Sequence, residues 1–397
     1  MFHINTQPVS YSFPWNRAFE DRVRALMKGE YRAVYYYENP DNSTFRYRVY
    51  NMIQALEQSQ HNTSAAFFTQ DELEALGEIV DRADVLIVCR AKYSDVLNRV
   101  ITKARSKGKR VLFDVDDLIF DPSFAHLVLN TLGQDLGHPD VWDFWFAYMG
   151  RIGATLELCE RAITTNEFLA RRIALHGNKP VSVVPNFLNQ EQLEISHRIF
   201  QEKKSRGFGR NAQFHLGYFS GTPTHNKDFE ILRDALVELL ERDPRIVLRT
   251  VGYAEPRDLL PDFRHRIEYF PLQDFVNLQR LIGSVEVNLV PLQDNEFTNC
   301  KSELKYFEAG IVGTLSIASP VYTYAKAIQD GENGFLANSF EWSGKLDKLM
   351  DAMESYPVMA ERAHSDCETR YAWYNQVDLI EQTLFAEPPT VAEPAKS

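Results

Sequence analysis

The chain is short of positive charge. Its 397 residues carry 43 Lys and Arg against 55 Asp and Glu, a formal net charge of −12. Neutralising a nucleic-acid duplex takes clustered basic residues, so duplex DNA or RNA is excluded as a main partner, although local basic sites remain open. Cysteine is also scarce. Cys89, Cys159, Cys300 and Cys367 lie far apart with no metal-ligand spacing and read as reduced cytosolic thiols. No stretch approaches the roughly 20 apolar residues of a membrane span, and the opening "MFHINTQPVSYSFPW" lacks the basic and apolar regions of a secretory signal. The expectation is a cytoplasmic protein whose membrane contact, if any, is peripheral to the inner face. Two nucleotide-binding signatures are missing as well. No G-x-G-x-x-G follows a strand-like run and there is no P-loop, which weakens the dehydrogenase reading that a doubly wound chain invites.

What is present is a soluble composition, 44% hydrophobic and 25% charged, in a chain long enough for two cores. Short apolar runs alternate with helical patterns. "YRAVYYYE", "ADVLIVCR", "KRVLFDVDD", "ERAITTN" and "KPVSVVPN" read as strands with amphipathic segments between them. After a polar stretch from about Gln190 to Gln213, where "QEKKSRGFGRN" reads as a linker or loop, a second series begins with "FHLGYFS", "RIVLRTVG", "IEYFP", "VEVNLVPL" and "TLSIAS". The alternation predicts α/β architecture: two Rossmann-like, doubly wound parallel domains facing across a cleft, over 1–200 and 213–365. The segment "RYAWYNQVDLIEQTLF" predicts one amphipathic helix over 366–386, and the proline-rich 387–397 predicts a disordered tail.

The stretch "CKSELKYFEAG", Cys300 to Gly310, follows the strand-like "VEVNLVPL". Ser302 is the expected N-cap of a helix, with Lys301 before it and Lys305 one turn along. A strand feeding a helix N-terminus is where α/β proteins hold anions, because unpaired N–H groups and the helix dipole point there. The competing reading is a solvated face closed by Glu–Lys pairs.

Two segments, "GYFSGTPTHNKDFEIL" and "KSELKYFEAGIVGTLSIASPVYTYAKAIQDGENGFLA", resemble retaining glycosyltransferases of the GT-B fold, family 4 in particular. The resemblance is most specific from about Gly217 to Leu336. In that family the first segment usually reads Gly-Arg, four residues, then Lys; here Gly221 and Lys227 keep the spacing and Thr222 replaces the arginine. Glu308 matches the second glutamate of the E-x7-E motif, which in relatives bonds the donor ribose. The first glutamate falls on Cys300 and is missing, so Asn299, Cys300, Lys301, Ser302 and Glu303 take the place of residues that touch the donor in relatives. The resemblance implies a nucleotide-sugar donor and a glycan or lipid-linked acceptor. It implies Lys227 and Lys301 on the diphosphate and Glu308 on the ribose, with retention and neither metal nor cofactor, in a setting such as polysaccharide assembly.

In the first half, "NPDNSTFRYRVYN" lies where the GT-B fold has its first strand-to-helix turn, and the family's glycine-rich loop is absent. Arg46 there is a candidate for a phosphate or carboxylate. "VLFDVDDLIFDP" places Asp116 and Asp117 just after a buried strand, where paired carboxylates suit an acceptor hydroxyl. Two carboxylates without a third ligand make a poor metal site. The tryptophans of "WDFWFAYM" read as sugar-stacking rings or as a packed helix, the second being the commoner case. Two functions stay in view: a glycosyltransferase, and a non-catalytic GT-B relative that binds a nucleotide or glycan as a scaffold. The sequence leaves oligomeric state open.

Overall fold

The computed structural model describes residues 1–41, 43–221, 226–253 and 260–386. Two six-stranded sheets organise them. The first contains β1 (Tyr31–Tyr36), β2 (Thr63–Phe68), β3 (Val85–Cys89), β4 (Arg110–Asp114), β5 (Arg161–Thr164) and β6 (Val181–Val183) in the order β2-β1-β3-β4-β5-β6. The second contains β7 (Phe214–Ser220), β8 (Ile246–Gly252), β9 (Ile267–Phe270), β10 (Val287–Val290), β11 (Leu315–Ala318) and β12 (Phe335–Leu336) in the order β12-β11-β10-β7-β8-β9. Every strand pairing in both sheets is parallel. Parallel sheets are covered on both faces, which is why β3, β7, β8, β10 and β11 are buried along their whole length and are mainly apolar, β3 without interruption.

Chain order reverses between β1 and β3 in the first sheet and between β7 and β10 in the second. Loops leaving neighbouring strands at such a point part to opposite faces and open a crevice at the carboxyl ends, where doubly wound folds bind ligands. The sequence candidates follow these strands: Arg46 after β1, Asp116 and Asp117 after β4, Lys227 after β7 and Lys301 after β10.

Three local expectations are corrected. The stretch read as a linker from Gln190 is a helix, Gln190–Ser205, capped by Asn189, whose side chain accepts from the Gln192 N–H. Its buried Leu193, Ile199 and Phe200 supply the apolar stripe that the run of charges obscured. It ends where Gly207 and Phe208 take left-handed φ of 57° and 55°. The helix expected over 366–386 is two. Helix Tyr356–Tyr371 stops at Ala372, which is extended because its strand-like bridge to Leu188 takes the backbone, and helix Val377–Phe385 follows. That last helix lies on the first domain, where Glu381 meets His61 at 2.7 Å and the Leu384 carbonyl accepts from Arg110. Ser302 is not an N-cap: helix Leu304–Gly310 begins one residue later, after Glu303, with no side-chain cap. The tail 387–397 lies outside the described residues. Among the described residues no helix is long and apolar enough to cross a membrane.

One buried ion pair fixes the floor of the first crevice. Arg48, fully buried, makes a bidentate contact to Asp114 at the end of β4 (2.8 and 3.0 Å) and donates to the Val184 carbonyl (2.8 Å) just past β6. Burial pushes the Asp114 carboxyl up to about 6 even with Arg48 beside it. Removing one partner of such a pair leaves an uncompensated buried charge, which costs about 3–5 kcal/mol. Arg48→Ala is therefore expected to destabilise the first domain by about that amount, read as a shift of its urea-unfolding transition.

Candidate functional site

Three strand-to-helix connections of the first domain face two of the second. After β1 the chain enters a π-helical turn, Arg46–Tyr50, a geometry frequent at functional sites, and continues as helix Asn51–Leu56. The turn swings Arg46 and Tyr47 away from their own sheet toward the second domain. Arg46 is buried and donates to Glu308 Oε1 (3.2 Å) and Gln192 Oε1 (3.1 Å), with its guanidinium 4.0 Å from the Tyr47 ring centroid and 4.9 Å from that of Phe275. Tyr47 donates its hydroxyl to the same Glu308 oxygen at 2.5 Å and Gln192 donates its amide at 3.1 Å. Glu308, expected on a ribose, thus sits 5% exposed, with one carboxylate oxygen accepting from three donors outside its own domain's sheet. Burial and this carboxylate push the Tyr47 phenol far up, so it stays a donor.

The second cluster is polar and partly open. Asp116 accepts from the Thr44 hydroxyl (2.9 Å), and Arg90, directly after β3, donates to Thr44 Oγ1 (2.9 Å) and Asp116 Oδ1 (3.3 Å). Arg90 also lies 3.7 Å from Asp117 Oδ2. Burial, together with the neighbouring Asp117, raises the Asp116 carboxyl against the opposing pull of Arg90. Arg90 holds φ at +48°, a strained value for an arginine, which aims its side chain along the crevice.

Lys301 of the second domain meets this cluster. Its ammonium lies 3.4 Å from Asp117 Oδ1 and 4.3 Å from the Phe297 ring centroid, and both ion-pair partners keep about a fifth of their side-chain surface open (21% and 23%). Lys305 points to the same region, 5.5 Å from the Tyr218 centroid, under the electrostatic influence of Asp228, Lys301 and Glu308. Desolvation, opposed by Asp228 and helped by the like charge of Lys301, pulls its ammonium down to about 8. Lys227 reaches across the crevice to Asn130 Oδ1 at 2.6 Å.

The remaining candidates divide. Gly221 follows β7 with open space where a Cβ would stand. Thr222 lies outside the described residues. Asn299 is spent on its own loop, donating to Asp294 Oδ1 and accepting from the Tyr322 N–H at 2.8 Å each. Cys300 is buried among first-domain core residues, which pushes its thiol up, and its carbonyl accepts from Asn166 (2.8 Å). Glu303 is buried and accepts from the Tyr371 hydroxyl at 2.7 Å, and Ser302 is buried beside it. In this conformation Cys300, Ser302 and Glu303 therefore support the lysine-bearing loop from within, whereas Lys301 alone of that run faces the crevice cluster.

Arg90, Tyr47 and Gln192 escaped the sequence reading. Arg90 had a usable signal, being a charge directly at the carboxyl end of the buried "VLIVC" run. Gln192 had none, because the charges along its helix hide the apolar stripe that would mark it as one.

Residues 213–354 match a family profile described as "Glycosyl transferases group 1". The sequence matches none of the curated proteins. Among solved structures, sucrose-phosphate synthase from Thermosynechococcus elongatus superposes with a TM-score of 0.61 at 13% identity, covering 88% of this chain and 97% of that one. HepE of Anabaena, in complex with UDP and glucose, gives 0.59 at 12% identity over 89% and 98%. A glycosyltransferase from Rickettsia africae gives 0.60 at 11% identity over 90% and 100%. Identities this low establish the fold. The chain is a GT-B fold protein, and its second domain resembles the glycosyl transferases group 1 family over residues 213–354.

Proposed function

We propose that the protein transfers a sugar from a nucleotide-sugar donor to a hydroxyl of a glycan or lipid-linked acceptor. The carrying observation is the meeting of Lys301, at the switch point of the second sheet, with the Asp116–Asp117–Arg90 cluster of the first, with Lys305 close enough to Lys301 for their like charges to interact. A departing nucleoside diphosphate gains negative charge as the glycosidic bond breaks. Ammonium groups held beside it stabilise that transition state more than the ground state. Lys301 now pairs with Asp117 alone at 3.4 Å, a long contact that a diphosphate with more charge displaces. Lys227 adds a third cation by exchanging Asn130 for phosphate oxygen. This supply of positive charge supports a reaction without a divalent cation at the diphosphate.

Asp116 and Asp117 are the proposed acceptor side, orienting the incoming hydroxyl, with Arg90 holding the pair in place. In the retaining route that the family resemblance suggests, a β-phosphate oxygen of the donor takes the acceptor proton on the front face. Arg46, Tyr47 and Gln192 all bond Oε1 of Glu308, which leaves its Oε2 for the proposed ribose contact. A cytoplasmic location, peripheral membrane contact and polysaccharide assembly belong to the same proposal. The scaffold reading keeps one specific support: Cys300, in place of the motif's first glutamate, is sealed in the first-domain core.

A thermal-shift panel of UDP, GDP, ADP and dTDP separates the two. A ligand at about 100 times its dissociation constant stabilises the native state by about 2.7 kcal/mol. One diphosphate is expected to raise the midpoint of the wild type and not of Lys301→Ala, and turnover with the matching donor is expected to fall about 100- to 1,000-fold in that variant. A flat panel favours the scaffold.

Charge on Lys305 supplies a pH test. Because its ammonium is held at about 8, below the ordinary 10.5, the group loses its proton as pH rises through 8. Diphosphate affinity measured by calorimetry is expected to weaken between pH 7 and 9, and Lys305→Met to flatten that slope. Stability has the opposite sign. Between about 8 and 10.5 the unfolded chain binds more protons at this residue, so the residue's contribution to folding stability rises with pH there.

A further inference from the structure

At the far end of helix Leu304–Gly310 from Lys301, the connector helix Gln190–Ser205 and helix Tyr356–Tyr371 bring His197, His364 and Glu368 together. One ligand atom from each lies within 4.8 Å of the others. His197 Nε2 is 3.2 Å from Glu368 Oε1, and His364 Nε2 is 3.7 Å from Glu368 Oε2. A tetrahedral zinc site with bonds near 2.0–2.1 Å sets its ligand atoms about 3.3 Å apart, so these separations are those of a site needing only small side-chain rotations.

The hydrogen bonding explains why a cation suits the cluster. His364 Nδ1 lies 2.7 Å from the Ile311 carbonyl, an oxygen that can only accept. The Nδ1 proton is therefore committed there, and Nε2 presents a lone pair toward a carboxylate that is itself an acceptor. Its ring is further fixed by stacking on Phe200 at 3.7 Å with the planes 4° apart. His197 Nε2 is a buried atom that makes no hydrogen bond, although Glu368 is near. The Tyr374 hydroxyl donates to Glu368 Oε1 at 3.1 Å from outside the cluster. His364 Nε2 thus offers a lone pair toward Glu368 and His197 Nε2 stands beside it without a hydrogen bond, and a histidine whose other ring nitrogen binds a backbone carbonyl is the usual way a metal-binding imidazole is oriented.

We propose that His197, His364 and Glu368 form a site for a divalent transition-metal ion of the zinc type, completed by water. Two nitrogens and one carboxylate oxygen are a zinc-compatible set, and neutral imidazole is the ligating form. The role is structural. The ion ties the connector helix, whose Gln192 donates to Glu308, to the helix that packs behind Leu304–Gly310 in the second domain. This site is separate from the crevice and from the diphosphate chemistry proposed above.

The test is titration of the metal-stripped full chain with Zn²⁺, and with Co²⁺ as a spectroscopic probe. One equivalent of Zn²⁺ is expected to bind and raise the melting midpoint, and bound Co²⁺ to give the intense visible absorption of a four-coordinate site. His197→Ala and Glu368→Gln lie at part-exposed positions (side chains 35% and 36% exposed), so both are expected to fold. Each is expected to weaken Zn²⁺ binding at least about tenfold, whereas His126→Ala, outside the cluster, is expected to leave it unchanged. Absence of stoichiometric binding overturns the proposal, as does an affinity that neither ligand variant alters. If one variant fails to fold, the other and the cobalt spectrum decide.

Discussion

A single carboxylate oxygen of Glu308 holds the two halves of this molecule in register. It accepts from Arg46 and Tyr47 of the first strand-to-helix turn and from Gln192 of the connector helix, all in a buried setting. A buried carboxylate without partners is costly, whereas one with three donors is satisfied and directional. The network therefore does more than hold the domains near each other. It joins the π-helical turn and the connector helix to the helix of the second domain that carries Lys305 and Glu308. Withdrawal of the π-helical turn from the second domain breaks the Arg46 and Tyr47 bonds to this oxygen.

Around that contact the crevice is built from charges that are matched but incompletely so. Arg48 and Asp114 are sealed and bidentate, a pair that serves the scaffold. Arg90, Asp116, Asp117 and Lys301 lie a layer further out, with longer separations and some access to solvent. Pairs of the second sort are easily exchanged for a ligand, because water has already taken part of their interaction. The gradient from sealed to exchangeable ion pairs runs from the floor of the first sheet toward its partner domain.

The connector helix deserves weight beyond a link. Its N-terminal end contributes Gln192 to the Glu308 network, and the next turns contribute His197 to the histidine–glutamate cluster and Phe200 to the ring stack beneath it. Buried Lys203 near its end donates to the Gly313 carbonyl at 2.7 Å, and burial depresses its ammonium. One helix therefore touches the front and the back of the segment that carries Lys305 and Glu308, and its position governs both.

The sequence by itself determined the two parallel sheets, because a strand buried on both faces needs a mainly apolar run, and "VLIVC" and the largely apolar "FHLGYFS" find such burial in the middle of a covered sheet. It also determined that charged residues stand beyond the carboxyl ends of strands, since Asp116 and Asp117 come just after such a run and Lys227 and Lys301 lie further along the connections that leave theirs. The connector helix was illegible because its apolar stripe is diluted by charge, and the break at Ala372 was illegible because a bridge to Leu188, distant in sequence, creates it. Only the tertiary structure decided which charges meet. Arg46 on Glu308, Lys301 on Asp117 and His197 beside Glu368 join residues more than a hundred positions apart, and side-chain electrostatics acts over a few ångströms of space without regard to chain distance.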